Sequence, residues 1–170
     1  MGRQEYATKD VRHILFKVDE SALDSEAETY EADLQAAKDA AKTAAEDALA
    51  QWKAGEATED SFAALANELS ADAGSNTNGG LYTKIYKNQM VTEFNDWCFD
   101  ASRQSGDTGI VYGESSNYKG YHVMYFVGDD VPYWQVQAEN ALRNTDTEAW
   151  LDGLLDSAEV VQEAGMKHVG

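Results

Sequence analysis

The sequence predicts an α+β fold, in which helices are inserted between the strands of an antiparallel sheet. Three observations indicate this class. A β-branched, apolar segment opens the chain, two helical patterns follow it, and two apolar segments joined by a short polar stretch precede the one proline, Pro132. A polar connection of this length is typical of a hairpin. The predicted order is β–α–α–β–α–β–β, followed by helices.

The first half of the chain predicts one strand and two helices. Residues 11–18, VRHILFKV, have the apolar and β-branched content of a buried strand. Alanine-rich sequence from about residue 28 to residue 53 keeps apolar residues at helical spacing and stops at Gly55. A second helix is predicted from about Glu59 to Leu69, and the glycine-rich segment 70–80 after it predicts a loop.

The second half predicts a short strand at residues 81–86, a helix within residues 90–101, and a hairpin of two strands at 108–114 and 120–129. After Pro132 the composition predicts two helices, the second capped by Thr145 or Thr147.

The predicted C-terminal helices carry too many apolar residues for a free tail. We expect them to pack on the body of the domain, on a second copy as a dimer, or on an N-terminal region. The residues are Trp134, Val136, Leu142, Trp150, Leu151, Leu154, Leu155, Val160 and Val161.

Composition excludes several classes of function. The 170 residues carry a net charge of −18, which argues against nucleic acid and anionic membranes as partners and indicates a solvated acidic surface. The single cysteine, Cys98, excludes an internal disulfide and is expected to be a buried, inert thiol. No signal peptide or membrane span is present, although one could have been removed before Met1.

Motifs for covalent or metal catalysis are absent from the sequence. It contains no Gly-x-Ser-x-Gly, no Walker loop and no His-Glu-x-x-His, and its histidines and one cysteine lack zinc-site spacing. Two histidines remain, His13 in the middle of the first predicted strand and His122 in the middle of the last. A single histidine among apolar residues is more often a core residue than a functional one. If the two strands are neighbours, however, both imidazoles could meet inside the domain.

Five motifs in order resemble the parvulin-type peptidyl-prolyl cis/trans isomerases. They are RHILF, SFAALANELSADAGSNTNGGLY, NQMVTEF, GDTGIV and GYHVMYF, and the resemblance covers roughly residues 8–128. It implies a four-stranded antiparallel sheet surrounded by helices, which agrees with the order above.

The resemblance also implies a set of site residues. The catalytic positions it assigns are His13, Asp72 and His122. The positions it assigns to the proline-binding pocket are Leu81, Met90 and Phe94, with Gln89 beside the pocket and Phe99 as a supporting aromatic. Gly79-Gly80 would let the chain turn tightly, so that the three apolar side chains converge on one proline ring.

The chain departs from the family pattern in its loops. Tyr82 stands where a glycine usually follows the leucine, and the segment from Leu81 to Met90 is one residue longer than in the shortest parvulins. The hairpin sequence SSNYKG replaces a run with Thr or Ser, and leaves Ser116 and Asn117 as weak candidates for a hydroxyl or polar partner.

The function implied is rotation of X–Pro bonds without a covalent intermediate, a cofactor or a metal. The apolar pocket would bind the proline ring of the substrate, while the histidines shape the site. Residues 18–33 after Lys17 are strongly acidic, so we expect no preference for phosphorylated substrates.

Partners and location follow from the same resemblance. We expect an isomerase domain at 8–128 and a helical extension at 129–170 that belongs to a chaperone-like module. Substrates would be unfolded, proline-containing polypeptides, and the location would be extracytoplasmic in the bacterial envelope. Two alternatives stay open: a parvulin-fold peptide-binding or chaperone module with little isomerase activity, and a plain acidic α+β domain with two core histidines.

Overall fold

The computed structural model describes residues 5–116 and 118–157. In chain order its elements are β1 Ala7–Lys17, α1 Tyr30–Ala54, α2 Glu59–Leu69, β2 Leu81–Ile85, α3 Thr92–Cys98, β3 Thr108–Glu114, β4 Lys119–Pro132 and α4 Tyr133–Ser157. The α+β class and the predicted order of elements up to β4 are confirmed.

The four strands form one antiparallel sheet in the order β2-β1-β4-β3. The first and last strands of the sequence are therefore the central pair, which is the arrangement that allows the two histidines to meet. In this pair His13 lies opposite Met124, and Leu15 lies opposite His122.

Side chains alternate between the two faces of the sheet, and each face has its own core. Val123 packs with Trp52 of α1 and Phe62 of α2 on one face. Met124 packs with Phe94 of α3 on the other. Because His122 is two residues before Met124, it lies on the α3 face.

Helix α2 begins and ends at the predicted residues. Thr58 and Ser61 form a capping box, since each side chain bonds to the backbone of the other residue. The Trp52 indole donates to the Thr58 carbonyl at 3.0 Å, which ties the end of α1 to the start of α2.

The chain divides into two units between Tyr133 and Trp134. The first unit holds the sheet and α1 to α3. The second consists, in its described part, of α4 from Trp134 onward. Its exposed large apolar residues are Leu142, Trp150, Leu151, Leu154 and Leu155.

The prediction of two C-terminal helices is wrong, because α4 is continuous from Tyr133 to Ser157. Thr145 and Thr147 do not cap a second helix. Their hydroxyls donate to the carbonyls of Ala141 and Arg143 one turn earlier, which leaves the helix uninterrupted. Val160 and Val161 lie outside the described residues. No helix in the described part of the chain has the length and apolarity needed to cross a membrane.

Candidate active site

Two buried imidazoles meet on the α3 face of the sheet. Nδ1 of His13 lies 3.0 Å from Nδ1 of His122, and both side chains are 3% exposed. They come from adjacent central strands, so the sheet itself fixes their separation. The predicted meeting of the two rings is confirmed, while their catalytic role stays a prediction.

Asp72 completes the polar cluster from the loop after α2. Its Oδ2 lies 3.0 Å from Nε2 of His13. The loop is held against β1 because the Ser70 hydroxyl accepts from the Leu15 N–H, and the Ala71 N–H donates to the Leu15 carbonyl. This pairing places the carboxylate at the exposed edge of the histidine pair.

Hydrogen bonds keep Asp72 ionised. Its Oδ2 is bonded to His13 and also accepts from the hydroxyls of Ser75 and Tyr82. Chiefly because of the bond to His13, the pKa of the Asp72 carboxyl lies well below its usual range. The carboxylate is thus an acceptor near neutral pH.

Two tyrosine hydroxyls that are not among the predicted site residues belong to the cluster. Tyr82 donates to Asp72 at 3.0 Å, and burial followed by the nearby carboxylate raises the pKa of Tyr82 to about 12. The Tyr118 hydroxyl lies 3.1 Å from Nε2 of His122. One signal pointed to Tyr82, its departure from a usual glycine. For Tyr118 the only signal in the sequence was its position in the predicted hairpin, four residues before His122. Asn117 lies outside the described residues.

The double glycine brings β2 against the backbone of His13. Gly79 and Gly80 have φ of 73° and 69°, and the His13 N–H donates to the Gly80 carbonyl at 2.9 Å. A Cβ on Gly80 would lie 2.2 Å from the His13 carbonyl oxygen, where no side chain fits. The tight turn is therefore confirmed, and it serves to seat the strand that carries His13.

A cleft of about 310 Å³ opens over the polar cluster. Its lining residues are His13, Leu15, Lys17, Ala71, Asp72, Ala73, Gly74, Tyr82, Met90, Tyr118 and His122. Met90 contributes an apolar wall. Phe94 lies beneath the cleft, fully buried, with its ring edge-on to both His13 and His122 at centroid distances of 5.5 and 5.4 Å.

Leu81 and Tyr82 lie on opposite faces of the sheet. Leu81 pairs with Arg12 and Tyr82 pairs with Val11. Because alternate residues of a strand point to opposite faces, Tyr82 shares the face of Val11 and His13, while Leu81 shares the face of Arg12. The structure therefore brings Met90, Phe94 and Tyr82 together at the cleft and turns Leu81 away from it.

The remaining predicted residues, Gln89 and Phe99, do not line the cleft. Gln89 is exposed, and its Oε1 accepts from the Tyr86 N–H at 3.0 Å. Phe99 packs against the apolar cluster that contains Phe94 and makes an edge contact with Tyr6, a position that fits a supporting aromatic. The roles of both remain predictions.

Cys98 lies inside the α3 core. It is fully buried, and burial raises the pKa of the thiol to about 12. A thiol in this setting is a poor nucleophile at neutral pH. Within residues 5–116 and 118–157, no group of three His, Cys, Asp or Glu residues is arranged to hold a metal ion.

The chain matches a known family model. The model for rotamases, described as the PPIC-type PPIase domain, matches residues 13–128, which is more than half of the chain. The matched segment contains His13, Asp72 and His122. A search of curated proteins found no match.

The chain is also similar to several solved structures. The crystal structure of the peptidylprolyl isomerase PrsA from Bacillus cereus matches with a TM-score of 0.49 and 23% identity, covering 95% of this chain and 54% of that one. A structure reported with the SurA-like chaperones PEB4 and Cj1289 of Campylobacter jejuni matches with a TM-score of 0.46 and 23% identity. This match covers 92% of this chain and 56% of that one. The chain thus spans little more than half the length of either.

Proposed function

The chain belongs to the PPIC-type peptidyl-prolyl isomerase family, and we propose that it catalyses cis–trans rotation of X–Pro bonds in unfolded polypeptides. The observation that carries the proposal is the buried pair of His13 and His122, bonded to Asp72 beneath a cleft with an apolar wall. We assign the activity to residues 8–128.

The chemistry asked of the site is rotation about a conjugated bond. The barrier of about 18–20 kcal/mol comes from amide resonance, so the site must bind the twisted amide better than either planar form. Met90 offers the proline ring an apolar surface, and Phe94 keeps water out from below. Low local polarity also disfavours the charge-separated resonance form that keeps the amide planar.

We assign a shaping role to the histidines and exclude a covalent step. Burial, followed by the neighbouring His13, lowers the pKa of His122 to about 3, so this ring is neutral at neutral pH. A neutral, hydrogen-bonded ring fixes the floor of the cleft without exchanging protons with the substrate. The buried Cys98 thiol does not reach the cleft lining.

Selectivity for phosphorylated substrates is not part of the proposal. Lys17 is the only cation among the described residues that line the cleft. Acidic residues follow Lys17 in the sequence after Val18, beginning with Asp19 and Glu20. A phosphoryl dianion would meet this negative charge.

A second candidate function is peptide binding with little turnover. Tyr82 favours it, because this side chain fills a position that is usually glycine in the family and its hydroxyl is already bonded to Asp72. A cleft narrowed in this way could hold a peptide without leaving room for the amide to rotate.

A protease-free isomerisation assay with several residues tried before proline separates the two functions. We expect the full chain to accelerate the cis–trans exchange of the peptides, and we expect Asp72→Asn to lower kcat/KM. Asp100→Asn is the matched control, since Asp100 also accepts from a nearby serine but is exposed and lies outside the cleft. Binding without acceleration for every peptide would favour the chaperone function.

We further propose that the protein assists the folding of secreted or envelope proteins outside the bacterial cytoplasm. In this proposal residues 129–170 belong to a chaperone-like module, and the exposed apolar side chains of α4 pack against a second copy or another segment. Sedimentation of the full chain at several concentrations tests the dimer, and cell fractionation tests the location.

A further inference from the structure

Tyr118 lies in the hairpin between β3 and β4 and reaches back over the sheet to His122. Its hydroxyl is 3.1 Å from His122 Nε2, and the two rings meet edge-on at 5.6 Å. The same side chain lines the cleft. It is therefore placed to act on His122 from the substrate side.

Four polar contacts run in series through the site. Tyr118 contacts His122 Nε2, His122 Nδ1 contacts His13 Nδ1, and His13 Nε2 contacts Asp72. Tyr82 then contacts the same Asp72 oxygen from the other side. Each contact needs one donor and one acceptor, so the protons along the series are linked.

With His122 neutral, only two proton arrangements satisfy the series. Ionised Asp72 can only accept, so His13 carries a proton on Nε2. If His13 is neutral, its Nδ1 accepts from His122 Nδ1–H, and His122 Nε2 must accept from the Tyr118 hydroxyl. If His122 instead carries its proton on Nε2, His13 needs protons on both nitrogens and becomes a buried cation.

The first arrangement requires no charged ring between the strands, where both imidazoles are 3% exposed. We propose that Tyr118 is a positioning residue, whose hydroxyl donates to His122 Nε2 and thereby holds His122 in the Nδ1-protonated form that bonds to His13. The effect of Tyr118 on catalysis rests on the proposed isomerase activity, whereas the placement of the protons does not.

The hairpin is built to hold this contact. The Ser115 N–H donates to the Tyr118 carbonyl at 2.9 Å, which closes the turn. Gly113 of β3 leaves room beside the histidine, since a Cβ there would lie 3.0 Å from His122 Nε2. The position of the hairpin and the proton on His122 are therefore coupled.

The test is a nitrogen-15 NMR measurement of the imidazole resonances in the full chain. In the wild type we expect His122 Nδ1 to be protonated and Nε2 to be an unprotonated, hydrogen-bonded acceptor. In Tyr118→Phe we expect the Nε2-protonated form to become populated in a folded protein. We also expect kcat/KM to fall by about three- to tenfold, the effect of losing one hydrogen bond.

Tyr112→Phe is the matched control. Tyr112 is in the same hairpin, but its hydroxyl bonds to Glu114 and its side chain shares a face with Tyr121, opposite that of His122. The imidazole spectrum of Tyr112→Phe should match that of the wild type.

Two results would overturn the inference: a wild-type His122 that is protonated on Nε2, or a Tyr118→Phe spectrum that is unchanged from the wild type. The wild-type measurement decides even if Tyr118→Phe does not fold. If the wild type lacks isomerase activity, the proposed function fails and the spectra still decide the role of Tyr118.

Discussion

His13 and His122 share one hydrogen bond inside the sheet, with their Nδ1 atoms 3.0 Å apart. One ring must donate and the other accept, so neither can change the protonation of its Nδ1 without the other. Adjacent central strands hold the pair, and Phe94 supports both rings from below. The two residues therefore form one structural and electrostatic unit.

Removing either histidine should leave the Nδ1 of the other buried without its hydrogen-bond partner. We expect His13→Ala and His122→Ala each to lower the free energy of unfolding by about 2 kcal/mol. The double variant should lower the free energy of unfolding by less than the two single variants together, and the difference, the coupling energy, should be at least about 0.5 kcal/mol. Urea unfolding of the four proteins measures this cycle. Strictly additive losses would show that the rings do not act as a unit.

Stability should fall in acid because His122 is held neutral. The pKa of His122 is about 3 in the folded protein, against an ordinary value of about 6.5 when unfolded. The unfolded chain therefore binds the extra proton first, and stability is lost as the pH falls from about 6.5 towards 3. In His122→Gln the slope of unfolding free energy against pH should be shallower by up to about one proton. Equal slopes in the two proteins would contradict this.

Gly80→Ala should destabilise the fold strongly. The residue has φ of 69°, and a Cβ would lie 2.2 Å from the His13 carbonyl oxygen. We expect a loss of about 3 kcal/mol or more, measured by urea unfolding. Gly128→Ala is the control, since a Cβ there has no neighbour within 4 Å. Similar losses in both variants would mean that the close approach to His13 is not what selects glycine.

Replacing Met90 and replacing Leu81 by alanine should have different effects on the KM for a proline peptide. Met90 lines the cleft, whereas Leu81 lies on the Arg12 face of the sheet. We expect Met90→Ala to raise KM for a proline peptide by about tenfold, the loss of roughly 1.4 kcal/mol of apolar contact. Leu81→Ala should leave KM unchanged. An increase in KM for Leu81→Ala would restore the pocket expected from the sequence.

The acidic surface should make stability depend on salt. With a net charge of −18, the folded chain repels itself, and salt screens that repulsion. We expect the melting temperature to rise as sodium chloride increases from about 0.05 to 1 M, over which the Debye length falls severalfold. A melting temperature that stays constant or falls would show that favourable ion pairs outweigh the repulsion.

The sequence predicted most of the fold because its local signals agree. Thr58 and Ser61 cap α2 where the apolar pattern begins, and the apolar segments around His13 and His122 became the central strands. At Thr145 and Thr147 the local signal was misleading, since a hydroxyl that can cap a helix can also bond back one turn within it.

The details of the site depended on register. The strand LYTKI has apolar side chains on both faces, so its composition cannot tell whether Leu81 or Tyr82 faces the histidines. The glycine turn and the pairing of Arg12 with Leu81 decide it. The Tyr118 contact likewise depends on how the hairpin folds back, which no spacing in the sequence specifies.

Exchange NMR on a short proline peptide, recorded with the full chain, is the decisive experiment for isomerase activity at the histidine cleft. We expect the cis and trans signals of the peptide to exchange faster with the wild type than with His13→Ala. We also expect the peptide to shift the resonances of Met90, Tyr118 and His122, which line the cleft. An exchange rate equal to that of the peptide alone, with shifts elsewhere in the chain, would contradict it.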